Sequence, residues 1–254
     1  MDLTNDFEKR LKSLRAIVAK STKVVFFGGA GVSTESGIPD FRSADGIYSK
    51  KSDYPPEYML SYEFYRDHRE EFFANLFKIG LDTHAQPNAA HKALAALEAR
   101  GNLAAVITQN IDGLHQAAGS KVVHELHGSM SRHYCERCGA FYTLEDVKAQ
   151  MDTTGRSPYC TKEGCGGPIK PDVVLYGESL DQAVIQAAIE AIIQADVLIV
   201  GGTSLVVHPA ASFVRLFRGS HLVVINREQT YADSQADLVF RESIGTVLGV
   251  FLES

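Results

Sequence analysis

The 254-residue chain has no run of about 18 apolar residues, which excludes a membrane-spanning helix. It has no excess of basic residues: 25 Lys and Arg against 31 Asp and Glu leave a net charge of −6. A field of that sign favours neither nucleic acid nor an anionic lipid surface, so neither is expected as a direct partner. The first ten residues, MDLTNDFEKR, carry no apolar stretch, so no secretory signal is expected. Cysteine is sparse, at four, which rules out a disulfide-dense scaffold and points to a reducing compartment, the cytoplasm. There is no internal repeat or low-complexity tract. With 45% hydrophobic and 22% charged residues, the composition excludes disorder, collagen and coiled coil. No Gly-Lys pair occurs anywhere, so there is no P-loop.

What is present alternates. Short apolar runs at KVVFF (23–27), AAVIT (104–108), VVHEL (122–126), DVVLY (172–176), DVLIVGG (196–202), HLVVIN (221–226) and DLVF (237–240) suit buried parallel strands. Helical spacing is expected over 6–20, 88–100, 181–195 and 209–218, with Asp181 and Pro209 as start signals. Strand–helix alternation predicts an α/β fold, a parallel sheet covered on both faces. Two segments interrupt it. Residues 44–84 are rich in aromatics and read as a helical insertion; residues 131–170 hold all four cysteines and read as a second.

The stretch FFGGAGVSTESGIPDFR (26–42) runs from a strand into Gly28, Gly29, Ala30 and Gly31. Glycines there let the backbone turn tightly and approach a ligand, and a helix starting near Val32 would aim N–H groups at an anion. On the glycines alone, nucleotide binding and a plain strand–helix turn are equally good readings. The spacing is not G-x-G-x-x-G, and no acidic residue follows about 20 residues later, which disfavours an ordinary NAD dehydrogenase. Cys135-x2-Cys138 and Cys160-x4-Cys165 can surround one Zn²⁺ tetrahedrally, leaving no open position, so such a zinc would be structural. The alternatives are free thiols or disulfides, and a reducing compartment disfavours the latter. Residues 131–170 hold six Lys/Arg against five Asp/Glu, so they form no basic stripe. Thr108-Gln109-Asn110-Ile111-Asp112 and His127-Gly128 each follow an apolar strand, where an open α/β sheet binds its ligands. A histidine there can serve as a general base.

GAGVSTESGIPDFR, GIY (46–48), TQNID, HG, the cysteine pairs, YGE (176–178), GTSL (202–205) and IN (225–226) occur in one order. In this the chain resembles the sirtuins, NAD-dependent protein-lysine deacylases. The resemblance implies a Rossmann-like domain (1–43, 85–130 and 171–254) and a small domain made of a helical module (44–84) and a zinc ribbon (131–170). It implies NAD as co-substrate, a structural zinc on Cys135, Cys138, Cys160 and Cys165, and acetylated proteins or peptides as substrates. Gly29, Ala30, Gly31, Ser33 and Thr34 match the pyrophosphate and nicotinamide loop, and Asp40, Phe41 and Arg42 the lid. Gln109, Asn110, Ile111 and Asp112 match the nicotinamide and ribose site, with Asn110 and Asp112 also in the catalytic set. Gly202, Thr203 and Ser204 match the second phosphate loop, Asn226 the adenine ribose and Ile244 the adenine. His127 matches the catalytic base, and Phe41, Val174 and Tyr176 the substrate grip.

By the same resemblance, the acyl oxygen attacks the nicotinamide ribose as nicotinamide leaves, and His127 then takes a proton from a ribose hydroxyl. An ADP-ribosyltransferase or NAD glycohydrolase, and a non-catalytic zinc-ribbon module, are the rival readings. Family members that prefer succinyl-lysine carry a Tyr-x-x-Arg pair. The matching stretch here is EFYRDH (63–68), which has Tyr65 but His68 in place of Arg, so acetyl-lysine is expected to be preferred.

Overall fold

The computed structural model describes residues 3–41, 46, 54–78 and 85–252. After α1 (Leu3–Lys20) comes β1 (Val24–Gly28), which shows how the sheet is built. All five β1 residues are buried, and successive side chains enter different cores: Val24 and Phe26 one, Val25 and Phe27 the other. A run that is apolar at every position needs both faces covered, the condition of a parallel sheet.

Then follow α2 (Pro56–Met59), α3 (Tyr62–Asp67), α4 (Arg69–Lys78), α5 (Ala89–Ala99), β2 (Leu103–Thr108), α6 (Leu114–Ala117) and β3 (Val123–Glu125). Next are β4 (Gly128–Cys135), β5 (Phe141–Thr143), α7 (Leu144–Thr154) and β6 (Ile169–Val173). Last come α8 (Gln182–Gln194), β7 (Val197–Gly201), α9 (Ala210–Phe213), β8 (His221–Ile225), β9 (Leu238–Phe240) and α10 (Ile244–Gly249).

Six strands form one parallel sheet in the order β3-β2-β1-β7-β8-β9. Leu14 and Val18 of α1, Leu94 and Leu97 of α5 and Val247 and Leu248 of α10 cover one face. Ala188 and Ile192 of α8 and Phe213 of α9 cover the other. Each such Leu, Ile or Phe contributes about 1.5–3 kcal/mol through burial. Asp181 caps α8 as expected, accepting from the N–H groups of Ala183 and Val184 at 2.8 and 3.0 Å. The direction of strand progression reverses between β1 and β7. The crevice over the carboxyl ends of those two strands is therefore the place for a ligand. No helix among the described residues is long and apolar enough to cross a membrane.

The interruptions of the main sheet form one further body. An antiparallel sheet in the order β5-β4-β6 packs on the helical insertion. Phe64, Tyr65, Phe72, Phe73 and Leu76 share a single core with Met130, Leu144, Val147, Ile169 and Val173.

Three expectations are corrected. DVVLY does not form a strand of the parallel sheet; β6 ends at Val173 and pairs with β4 at the edge of the small sheet. Pro171 lacks an N–H and is tolerated only at such an edge. No long helix begins at Val32: two 3-10 turns, Ala30–Val32 and Thr34–Ser36, end at Gly37 in left-handed backbone with φ 87°. There the Thr34 hydroxyl bonds back to Gly31 O at 3.1 Å, a local contact that competes with helix propagation. The helix expected over 209–218 is only α9, continued by a 3-10 turn at Val214–Leu216.

Candidate active site

The loops that leave β1 and β7 meet over the crevice. Gly31 N–H donates to Gly202 O at 2.8 Å, and a Cβ on Gly31 would lie 2.8 Å from Gly202 Cα. Only glycine permits that approach. The loop after β2 joins them through Thr203 Oγ1, which donates to Gln109 Oε1 at 2.8 Å. Between these loops lies a cavity of about 430 Å³, more polar in its lining than the neighbouring one. Ala30, Gly31, Thr34, Asp40 and Phe41 line it from the β1 side. Gly202, Thr203, Ser204, Asn226 and Ile244 line it from the other. Gly29 is not on its wall; its N–H donates to Gly201 O at 3.3 Å. Arg42 lies outside the described residues, as do Ile47 and Tyr48 of the GIY segment.

A second, more apolar cavity of about 280 Å³ opens toward the small body. Phe41, Val174 and Tyr176, the residues matched to the substrate grip, line it, as do Ile111 from the stretch matched to the nicotinamide site and Leu60 and Leu76. Phe41, Gln109, Asn110 and His127 line both cavities, so the two meet at the histidine.

His127 is held by its neighbours. Its Nδ1 lies 2.9 Å from Gln109 O. A carbonyl can only accept, so the proton is on Nδ1 and Nε2 is left as the acceptor. Burial pushes the His127 pKa below its ordinary value, against the smaller opposing effect of the Gln109 bond. The imidazole is therefore neutral at pH 7. The backbone turns away at Gly128, where φ is 76° and a Cβ would collide with Asp172 O.

Ser33, Asn110 and Asp112 form a network beneath the junction. Ser33 Oγ donates to Asp112 Oδ2 at 2.6 Å and accepts from Asn110 Nδ2 at 3.1 Å. Asp112 Oδ1 accepts from Leu114 N at 2.9 Å. Ser33 and Asn110 are buried, so each must be bonded in this way. Behind the network lie two fully buried histidines, His91 and His115, packed edge to face at 4.7 Å. Burial holds His91 down to about 4 and His115 to about 3.

The four cysteines converge despite the longer second spacing. Their Sγ atoms all lie within 4.8 Å of one another, with Cys135–Cys165 and Cys138–Cys160 each at 3.6 Å. Thiolates at the corners of a zinc tetrahedron stand about 3.8 Å apart, so this donor set fits the ion. Tyr142 donates its hydroxyl to Cys160 Sγ at 3.1 Å, a bond that favours the thiolate at that position.

Tyr65 and His68 are not on the wall of the apolar cavity, which corrects the acyl-recognition role expected of them. Tyr65 is buried and its hydroxyl donates to Glu136 Oε2 at 2.8 Å, while His68 stacks on Phe64 at 4.9 Å. Leu60 and Leu76 stand there instead. The sequence marks them only as apolar residues of a helical segment. What places Leu60 is a backbone pairing: Tyr176 N–H donates to Leu60 O at 2.9 Å.

A cleft of this kind suits an enzyme that binds a nucleotide and sets a second, apolar group against it beside a histidine. The relatives narrow the class. A model of the Sir2 family matches residues 29–209. A protein from Clostridium acetobutylicum named NAD-dependent protein deacetylase is 54% identical over 241 residues, which is 94% of this chain and 96% of that one. One of the same name from Clostridium perfringens is 54% identical over 250 residues, 97% of this chain and all of that one. The fold is similar to that of a Sir2 protein solved with a p53 peptide and NAD⁺, with a TM-score of 0.85, 39% identity and coverage of 96% and 97% of the two chains. The chain belongs to the Sir2 family.

Proposed function

We infer that the chain is an NAD-dependent protein deacetylase, which moves the acetyl group of acetyl-lysine onto ADP-ribose and releases nicotinamide. The observation that carries this reading is His127, which stands on the wall common to the polar cavity and the apolar channel. Its free Nε2 can take a proton where contents of the two cavities meet.

The polar cavity suits a dinucleotide in size and in its glycine-framed walls. Ala30, Gly31, Ser33 and Thr34, with Gly202, Thr203 and Ser204, would hold its phosphates and riboses, and Gly29 would set their loop. Asn226 would meet the far ribose and Ile244 the base, while Asp40, Phe41 and Arg42 would cover the near end. Bound NAD supplies an electrophilic ribose carbon that accepts the acyl group as nicotinamide departs. Gln109, Asn110, Ile111 and Asp112 would form the nicotinamide pocket. Because Ser33 and Leu114 N–H fix the Asp112 carboxylate, it is preorganised toward positive charge developing at the sugar. His127 then accepts a proton from a ribose hydroxyl. Val174, Tyr176 and Phe41 would grip the acyl-lysine.

Zinc on Cys135, Cys138, Cys160 and Cys165 would supply folding free energy, since four thiolates leave no position for chemistry. Reduced thiols of this kind favour the cytoplasm. The test is to incubate the pure protein with NAD and an acetyl-lysine peptide and to analyse the products by mass spectrometry. Acetyl-ADP-ribose in step with nicotinamide is expected. Nicotinamide release that needs no peptide would overturn the reading in favour of an NAD glycohydrolase.

A further inference from the structure

The N-terminal helix lies outside the site, yet one of its side chains bonds a residue of the cavity wall. Arg10 forks Glu242, with Nη2 2.9 Å from Oε1 and Nη1 3.4 Å from Oε2. Its Nη1 also donates to Val239 O at 2.7 Å, and the guanidinium lies 5.0 Å from the centre of the Phe240 ring. Its Nε donates to Asp6 Oδ2 at 3.1 Å. Glu242, Ser243 and Ile244 line the polar cavity. From the other side, Glu35 on the glycine-rich loop accepts from Gly245 N–H at 2.9 Å. The segment 239–245 is thus pinned between α1 and that loop.

A carboxylate on the wall of a cavity for an anionic ligand needs a partner. Partial burial pushes the Glu242 carboxyl up, but hydrogen bonds from Arg10 and from the backbone N–H groups of Glu242 and Arg241, with the Arg10 charge, together hold it below its ordinary range. Glu242 is therefore charged at working pH. Without Arg10 that charge would stand unpaired on the wall beside Ile244, at the base end of a site for an anionic ligand.

We propose that Arg10 is a positioning residue for the nucleotide, which cancels the charge of Glu242 and fixes the wall formed by residues 239–244. This rests on the assignment of the polar cavity to NAD. The test uses the full-length enzyme at low salt, with ADP-ribose binding measured by calorimetry and steady-state kinetics beside it. Arg10→Gln is expected to weaken ADP-ribose and raise the KM for NAD about three- to five-fold, the scale of one partly exposed ion pair. The KM for acetylated peptide should move less than about two-fold, since α1 does not touch that channel. Arg10→Lys, which keeps the charge and loses the fork, should fall between. The double variant R10Q/E242Q should recover most of the lost affinity, because it removes the exposed carboxylate as well. Wild-type protein that fails to bind ADP-ribose would overturn the nucleotide assignment itself. Wild-type binding matched by Arg10→Gln, or a double variant as weak as the single one, would overturn the role given to Arg10.

Discussion

A histidine serves as a base only while it is neutral and its free nitrogen faces the work. At His127, burial favours the neutral ring and the Gln109 carbonyl fixes the proton on Nδ1. Replacing it with alanine should lower deacetylation by about 10²–10⁴, the usual contribution of a positioned base. ADP-ribose affinity should stay within a few fold, because the base acts after binding; near-wild-type turnover would contradict the role. The pH profile follows from the same geometry. The protonated ring is inactive, so kcat/KM should hold steady at neutral pH and fall only as pH drops through a value below about 6.5, the ordinary imidazole pKa. Kinetics that place the acidic limb above that value would contradict the depressed pKa. At this scale the sequence was informative for chemistry but not for state: a histidine followed by glycine after a strand marks a candidate base. Its tautomer depends on a carbonyl that only folding brings near.

Among elements, the zinc knuckle does more than tie its own ends. Glu136, between two of the cysteines, accepts from Tyr65 on α3, and Tyr62 N–H of the same helix donates to Tyr176 O beside the substrate channel. Metal analysis should find one zinc per chain. Stripping it with a chelator should melt the shared core of Phe64, Phe72, Ile169 and Val173 in a separate, earlier thermal transition and abolish turnover; metal-free protein that still turns over would overturn this. On the proposed reading, acyl choice falls to the apolar channel and not to the Tyr65–His68 pair. Among the described residues that line it, Leu60 and Leu76 are apolar and no lysine or arginine appears. A buried carboxylate without a partner costs several kcal/mol. Matched peptides should therefore give a kcat/KM at least about ten-fold higher for acetyl-lysine than for succinyl-lysine, and parity would refute the assignment.

Elements were legible where they were locally determined. VVFF (24–27) and VLIV (197–200) are apolar at every position and form β1 and β7. DVVLY misled because Pro171, two residues before its core, confines that stretch to a sheet edge. Leu60, Leu76 and the Arg10–Glu242 pair could not be read at all, since nothing local marks residues brought together across the whole chain.

For the molecule as a whole, the buried pair His91 and His115 makes stability depend on pH. Their folded pKa values, about 4 and about 3, lie below the value of about 6.5 in an unfolded chain. The unfolded state therefore binds more protons in that window, and stability falls as pH falls from about 6.5 toward 4. For His91 alone the loss is on the order of 3 kcal/mol. Urea midpoints measured from pH 7 to pH 4.5 should decline, and His115→Phe should make the decline shallower; an equal slope in the variant would contradict the assignment. The order of the sheet has a further consequence, for synthesis. The nucleotide crevice lies between β1 and β7, whose first residues, Val24 and Val197, pair across most of the chain. An emerging polypeptide holds β1 without its central neighbour until the roughly 170 residues between Gly28 and Val197 have been made. Contacts so distant in sequence form slowly. The nascent chain must therefore wait with one long flank of a wholly apolar strand unpaired, and a chaperone that shields that flank should raise the yield of active enzyme more than one acting after release.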